Sequence, residues 1–173
     1  MKRATSHGDR LHLLGLVSDG GVHSHITHLF ALLRCAKDYK ISNVYVHFFG
    51  DGRDTAPKSA TKYIKQLQDY MKEQGIGEIS TVIGRYYAMD RDKRWDRVKI
   101  ALDGLIGAEG EKCTEEDLVK KVEEGYSQDV TDEFIKPIIC GSADSRIKST
   151  SVIRLSLLTR RRGRYLVHVQ LPV

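Results

Sequence analysis

Cysteine is scarce in this chain, and the little there is forms no pattern. Cys35, Cys113 and Cys140 are odd in number, far apart in sequence and include no C-x-x-C. That excludes a disulfide framework and fits reduced thiols in a cytoplasmic protein. Cys35, on an apolar helix face, reads as a small buried hydrophobe rather than a nucleophile. No apolar run approaches the length that spans a membrane. The first ten residues have charges with no apolar segment behind them, which argues against a secretory signal. A P-loop, a G-x-G-x-x-G fingerprint and a serine or cysteine nucleophile elbow are also missing, as is any internal repeat.

Net positive charge is lacking over most of the chain despite a formal +5 for the whole. Seven of the 28 Lys and Arg, but one of the 23 acidic residues, lie from Gly141 onward, so the first 140 residues carry a net −1. The basicity is confined to the last fifth, where Arg160, Arg161, Arg162 and Arg164 cluster. It gives no argument for a nucleic-acid-binding domain, and no membrane partner is expected. At 173 residues, 40% hydrophobic and 29% charged, the chain is long enough for a sizeable core.

Three strand-like stretches, over residues 11–17, 44–49 and 79–83, each run into a glycine- and charge-rich turn. Between them, apolar residues recur at helical spacing: Ile26, Leu29, Phe30, Leu33 and Ala36, then Ala60, Tyr63, Ile64, Leu67 and Met71. Pro57 is expected just inside the second helix, and Gly75 ends it. Trp95, Val98, Ala101, Leu102, Leu105 and Ile106 predict a further amphipathic helix with that set as its inner face. Thr114 and Asp117 resemble a capping box opening another. Strand starts near residues 11, 44 and 79 are one βα unit apart. The expected fold is α/β, a layered and mostly parallel sheet flanked by helices. Beyond Pro137 the pattern degrades, with residues 165–169 as one possible edge strand.

Ligands of such sheets bind outside the carboxyl ends of the strands, so the three turns read as one site. In the first, the Gly20-Gly21 amides and the following helix start suit an anion, and His23 is placed for proton transfer. The plain alternative is a strand-to-helix turn with His23 as a cap. His23, His25 and His28 also suggest a metal site, but no carboxylate cluster or further histidines follow at later strand ends. In the second turn, Arg53 is the anion binder and Asp54 the base, with Asp51 capping the turn. A surface ion pair is the alternative there. In the third, Arg85 and Arg91 offer guanidinium forks to phosphate or carboxylate, with Tyr86 and Tyr87 as a wall. Arg94 and Arg97 are expected to face solvent.

At these residues the sequence resembles a known family. LLGLVSDGGVHSH (residues 13–25), DGRD (51–54) and GRYYAMDRDKRW (84–95), with EGE (109–111) and DEFIKP (132–137), are similar to the cofactor-independent phosphoglycerate mutases. The likeness runs from Leu11 to about Ile139, dividing the chain into residues 11–139 and a divergent basic segment, 140–173. The resemblance implies the phosphotransferase domain of a cytoplasmic, usually monomeric enzyme of glycolysis and gluconeogenesis that interconverts 3-phosphoglycerate and 2-phosphoglycerate. It implies that His23, Arg53, Arg85 and Arg91 hold carboxylate and phosphate while Asp54 and His23 assist proton transfer. A serine nucleophile and two Mn²⁺ ions belong to the family's phosphatase domain, which nothing here matches, and the Arg-Pro-Asp-Arg motif is missing. No cofactor is therefore expected in this chain, which is read as a fragment inactive alone. The rivals are a catalytically silent binding module for a small phosphorylated acid and a metal-dependent hydrolase built on His23 and His25. The basic segment binding nucleic acid or an anionic membrane is a further rival.

Overall fold

The computed structural model describes Met1, residues 10–148 and the backbone of residues 152–155. The three expected strands are β1 (Arg10–Leu16), β2 (Asn43–Gly50) and β3 (Glu78–Gly84), parallel and adjacent. Short β4 (Glu111–Lys112), β5 (Ile138–Ile139) and β6 (Val152–Leu155) complete a sheet ordered β4-β5-β3-β2-β1-β6. Only the β3–β5 pairing is antiparallel. The α/β expectation and its mostly parallel sheet hold.

Side-chain alternation sends each strand's residues to two different layers. Leu11, Leu13, Val44, Val46, Phe48, Ile79 and Val82 face α1 (Ile26–Asp38), α2 (Ala60–Gln74) and α5 (Leu118–Ser127). Leu14, Leu16, Phe49 and Ile83 face the opposite way, onto Ala101, Leu105 and Ile147. Residues 44–50 are buried throughout, as a strand covered on both faces requires. On the first face Leu33, Phe48, Ile64 and Leu67 have no exposed surface, and each contributes about 1.5–3 kcal/mol of transfer free energy.

The second face is less apolar. His12, His47 and Thr81 lie across three adjacent strands in one buried row. His12 Nδ1 is 2.9 Å from His47 Nε2, and His47 Nδ1 is 3.0 Å from Thr81 Oγ1. His12 Nε2 is buried with no partner. The arrangement of least cost has His12 Nδ1–H donating to His47 and His47 Nδ1–H donating to Thr81. The orphan atom is then a bare lone pair rather than a stranded N–H.

Helix starts and ends differ from expectation at three places. Pro57 lies in the turn before α2, where its carbonyl accepts the Asp132 amide at 2.8 Å. The α2 N-terminus is capped from far along the chain: the buried Asp132 carboxylate accepts the Ser59 and Ala60 amides, both at 2.8 Å, and the Tyr126 hydroxyl. The helix after the third turn is two pieces, α4 (Trp95–Leu102) and a π-helical segment, Asp103–Gly107. Of its expected inner face, Trp95, Leu102 and Ile106 are exposed, Trp95 at 74%, while Ala101 and Leu105 are buried. Thr114 Oγ1 accepts the Asp117 amide and donates to its carboxylate, but the helix begins only at Leu118, so the expected capping box is a closed turn just before α5. The possible strand at 165–169 and the cluster at 160–164 lie outside the described residues.

Asp132→Asn is expected to lower stability by about 1–3 kcal/mol, because an amide in place of one carboxylate oxygen cannot accept from the donors that oxygen now serves. Urea unfolding checks it, and an unchanged midpoint would remove the long-range cap from the account.

Candidate functional site

The carboxyl ends of β1, β2 and β3 bring the three turns together around a cleft of about 440 Å³. His23, Arg53, Arg85 and Arg91 line it, with Tyr86, Asp90, Asp92, Arg97 and Glu133. Asp54 sits behind that lining, its side chain 16% exposed, against His23 and Arg85.

Asp51 organises the centre. Its carboxylate accepts the Arg53 and Asp54 amides at 3.2 and 3.0 Å, so it caps the second turn as expected. The Ser18 hydroxyl donates to it at 2.6 Å and Arg85 Nη1 at 2.7 Å. Burial opposes ionisation of Asp51, but these bonds prevail and hold its carboxyl below the usual range. The same Nη1 donates to Asp54 Oδ2 at 2.9 Å. One nitrogen of Arg85 thus spans both carboxylates, while Nε and Nη2 donate to no described residue. His23 Nε2 lies 3.7 Å from Asp54 Oδ2, leaving Asp54 Oδ1 unengaged.

Arg53 and Asp54 do not pair with each other. Arg53 instead grips Glu133, with Nε and Nη2 both 2.7 Å from Oε1, and that hydrogen bond strengthens the guanidinium's hold on its proton. Arg91 is exposed and makes no ion pair among the described residues. Arg97, expected in solvent, has a side chain only 17% exposed. It stacks 3.9 Å over the Tyr86 ring and pairs with Asp90 and Asp92 at 3.3 Å. Arg94 is exposed, as expected, and Tyr87 packs into the second apolar layer.

The first turn works differently from its sequence reading. The Gly20 amide donates to Ser18 Oγ and the Gly21 amide to the Ser24 carbonyl, so neither is left for an anion. Asp19 turns outward to Tyr63 and Lys62 on α2. His25, not His23, caps α1 by accepting the Thr27 amide. Gly20 is present for close approach: a Cβ there would stand 2.9 Å from Asp54 Cβ. Among the described residues no three His, Cys, Asp or Glu side chains are grouped to hold a metal ion.

Glu133 escaped the sequence reading. It reaches the cleft because residues 132–135 run across the strand ends in backbone contact with two glycines. A Cβ at Gly84 would stand 2.2 Å from the Glu133 carbonyl oxygen, and one at Gly50 2.5 Å from that of Asp132.

Fold and cleft together define an α/β protein with an arginine-lined cleft at the carboxyl edge of a parallel sheet. A family model described as the BPG-independent PGAM N-terminus matches residues 1–156. The chain belongs to that family of BPG-independent phosphoglycerate mutases. The 2,3-bisphosphoglycerate-independent phosphoglycerate mutase of Brugia malayi is 54% identical over 138 residues, 80% of this chain and 27% of the relative. Those of Caenorhabditis elegans and Bacteroides fragilis are 47% and 50% identical, each over 87% of this chain and 28% and 29% of their own length. The chain therefore spans under a third of the relatives it matches. A crystal structure of Leishmania mexicana phosphoglycerate mutase at low cobalt concentration shares the fold at a TM-score of 0.79 and 23% identity. It is matched over 90% of this chain and 31% of that one. The family match includes residues 140–156, and β6 adds its backbone to the sheet within that stretch. No helix among the described residues is long and apolar enough to cross a membrane.

Proposed function

We propose that this chain is the substrate-holding, phosphotransferase part of a mutase interconverting 3-phosphoglycerate and 2-phosphoglycerate. The observation that carries it is Arg85, anchored through one nitrogen to Asp51 and Asp54 with its other N–H groups left for an anion. Arg91, with no ion pair among the described residues, adds a positive charge at the same cleft. Arg53 is half exposed and can exchange Glu133 for a ligand oxygen. A phosphate and a carboxylate on a three-carbon acid suit these guanidinium forks. Asp54 Oδ1 is the acceptor for the proton that leaves a glycerate hydroxyl as that oxygen takes the phosphoryl group, and His23 stands beside it. The serine that carries the phosphoryl group and the manganese pair implied by the resemblance have no counterpart among the described residues. No step here runs through them. On this reading the chain by itself holds substrate without turning it over, and it works in the cytoplasm.

Titration calorimetry tests the reading. The chain is expected to bind 3-phosphoglycerate, more weakly at 0.5 M salt, with at least a tenfold loss of affinity in Arg91→Ala. Coupled assays are expected to detect no 2-phosphoglycerate. Absence of binding heat overturns the assignment of the cleft, and turnover at ordinary enzymatic rates overturns the assignment of the chain as an incomplete catalyst.

A further inference from the structure

The edge of the sheet opposite the cleft holds a second reactive arrangement. Cys113 and Cys140 directly follow β4 and β5, whose parallel register pairs Glu111 with Ile138 and Lys112 with Ile139. One step further sets Cys113 beside Cys140, and the Cys113 amide donates to the Ile139 carbonyl at 3.0 Å, so the register persists there. Neighbouring strands lie about 4.8 Å apart, within the roughly 4.4–6.8 Å that disulfides span between Cα atoms. Both residues are partly exposed, and the Cys140 thiol donates only weakly, to the Ile138 carbonyl at 3.9 Å.

We propose that Cys113 and Cys140 form a redox modification site, closing to a reversible disulfide when the protein meets a peroxide. Cys113 is the attacking thiol. The neighbouring Cys140 thiol lowers its pKa against the effect of burial, with the Lys121 ammonium helping and Asp117 and Glu111 opposing. Cys140 is pushed the other way by that same contact and by burial, with Glu115 and Glu78 adding to it. It is the resolving thiol. The Cys113 thiolate attacks one peroxide oxygen, breaking the O–O bond and releasing hydroxide, which leaves a sulfenic acid. The Cys140 sulfur then attacks the Cys113 sulfur and expels water. In sum, two thiols and one hydrogen peroxide give one disulfide and two waters.

Bond formation needs little rearrangement, because β4 and β5 are two residues each and β4 is the outermost strand. The loop so closed contains α5, Asp132 and Glu133. The bond would therefore fasten to the sheet the segment that caps α2 and holds Arg53.

Treatment of the full chain with hydrogen peroxide, alkylation of the remaining thiols and non-reducing peptide mapping test this. The expected product is a Cys113–Cys140 linked peptide lacking two hydrogens, with Cys35 alkylated and the link reversed by dithiothreitol. Tm is expected to rise by about 5–10 °C on oxidation, from the entropy the bond removes from the unfolded chain. Cys35→Ser should leave the link intact. Recovery of Cys113 and Cys140 both alkylated after oxidation overturns the proposal, as does a dominant link through Cys35. The map of the unsubstituted chain decides even where a cysteine variant fails to fold.

Discussion

Arg85→Ala is expected to abolish measurable 3-phosphoglycerate binding and to lower stability by about 2–4 kcal/mol. Two effects combine. The cleft loses its anchored guanidinium, and Asp51 and Asp54 lose their shared counter-ion. The Asp51 side chain is 3% exposed, so its negative charge is not relieved by solvent. The Ser18 hydroxyl and two turn amides remain on Asp51 and limit the loss. Arg85→Lys separates the two effects. An ammonium restores charge to the carboxylates but has no fork with which to grip them and an anion together. Stability should recover in part, and binding should not. Calorimetry beside urea unfolding reads both, and an Arg85→Lys variant with full affinity would sink the assigned geometry.

Acid should unfold this protein early, through the buried histidine row. His12 takes a proton near pH 6.5 when unfolded, but burial and the Arg10 charge push its folded pKa down to about 4. Burial likewise lowers that of His47, with His12 adding to it. The unfolded chain therefore binds more protons between pH 6.5 and 4. The stabilisation is fully present above 6.5 and is lost as pH falls through that window. His12 alone accounts for about 3 kcal/mol at 1.36 kcal/mol per unit. The local reason is plain: a proton on His12 Nε2 would have no acceptor. Urea midpoints at pH 7 and pH 4.5 measure the slope. His12→Asn should flatten it relative to the unsubstituted chain, and an equal slope in both would falsify the role of the row.

The parts of this molecule legible in its sequence are those whose cause is local. A strand followed by glycine and charge announces a turn, so β1, β2, β3 and the placing of His23, Arg53, Arg85 and Arg91 at one sheet edge could be read directly. Asp51 could be assigned to its own turn because two of its bonds, from the Arg53 and Asp54 amides, reach only two or three residues ahead, whereas its bonds to Ser18 and Arg85 had no local signal. Glu133 could not be found, because its partner Arg53 lies 80 residues away and no local pattern links them. Arg97 looked solvent-facing because its helical position is polar. Tyr86 and the acids before α4 turn it inward. The start of α2 was misplaced at Pro57 for a related reason: the groups that satisfy its first amides come from Asp132, beyond any window of helical periodicity. His12 and His47 sat unnoticed in strands that read as apolar, and Cys113 and Cys140 looked unrelated until two short strands placed them side by side.

The passage of residues 132–135 over Gly50 and Gly84 sets the smallest piece of this protein that can be excised and still work. The first three βα units look like a self-contained module, yet a piece ending before residue 132 would lose three things at once. The strand ends would lie bare where a backbone now covers them, the first amides of α2 would have no acceptor, and Arg53 would have no counter-ion. Dissection or grafting of this domain must therefore carry residues 132–139 and, beyond them, Ile147 and β6, which complete the second face and the sheet edge, and the glycines of two early turns are under a constraint written much later in the chain.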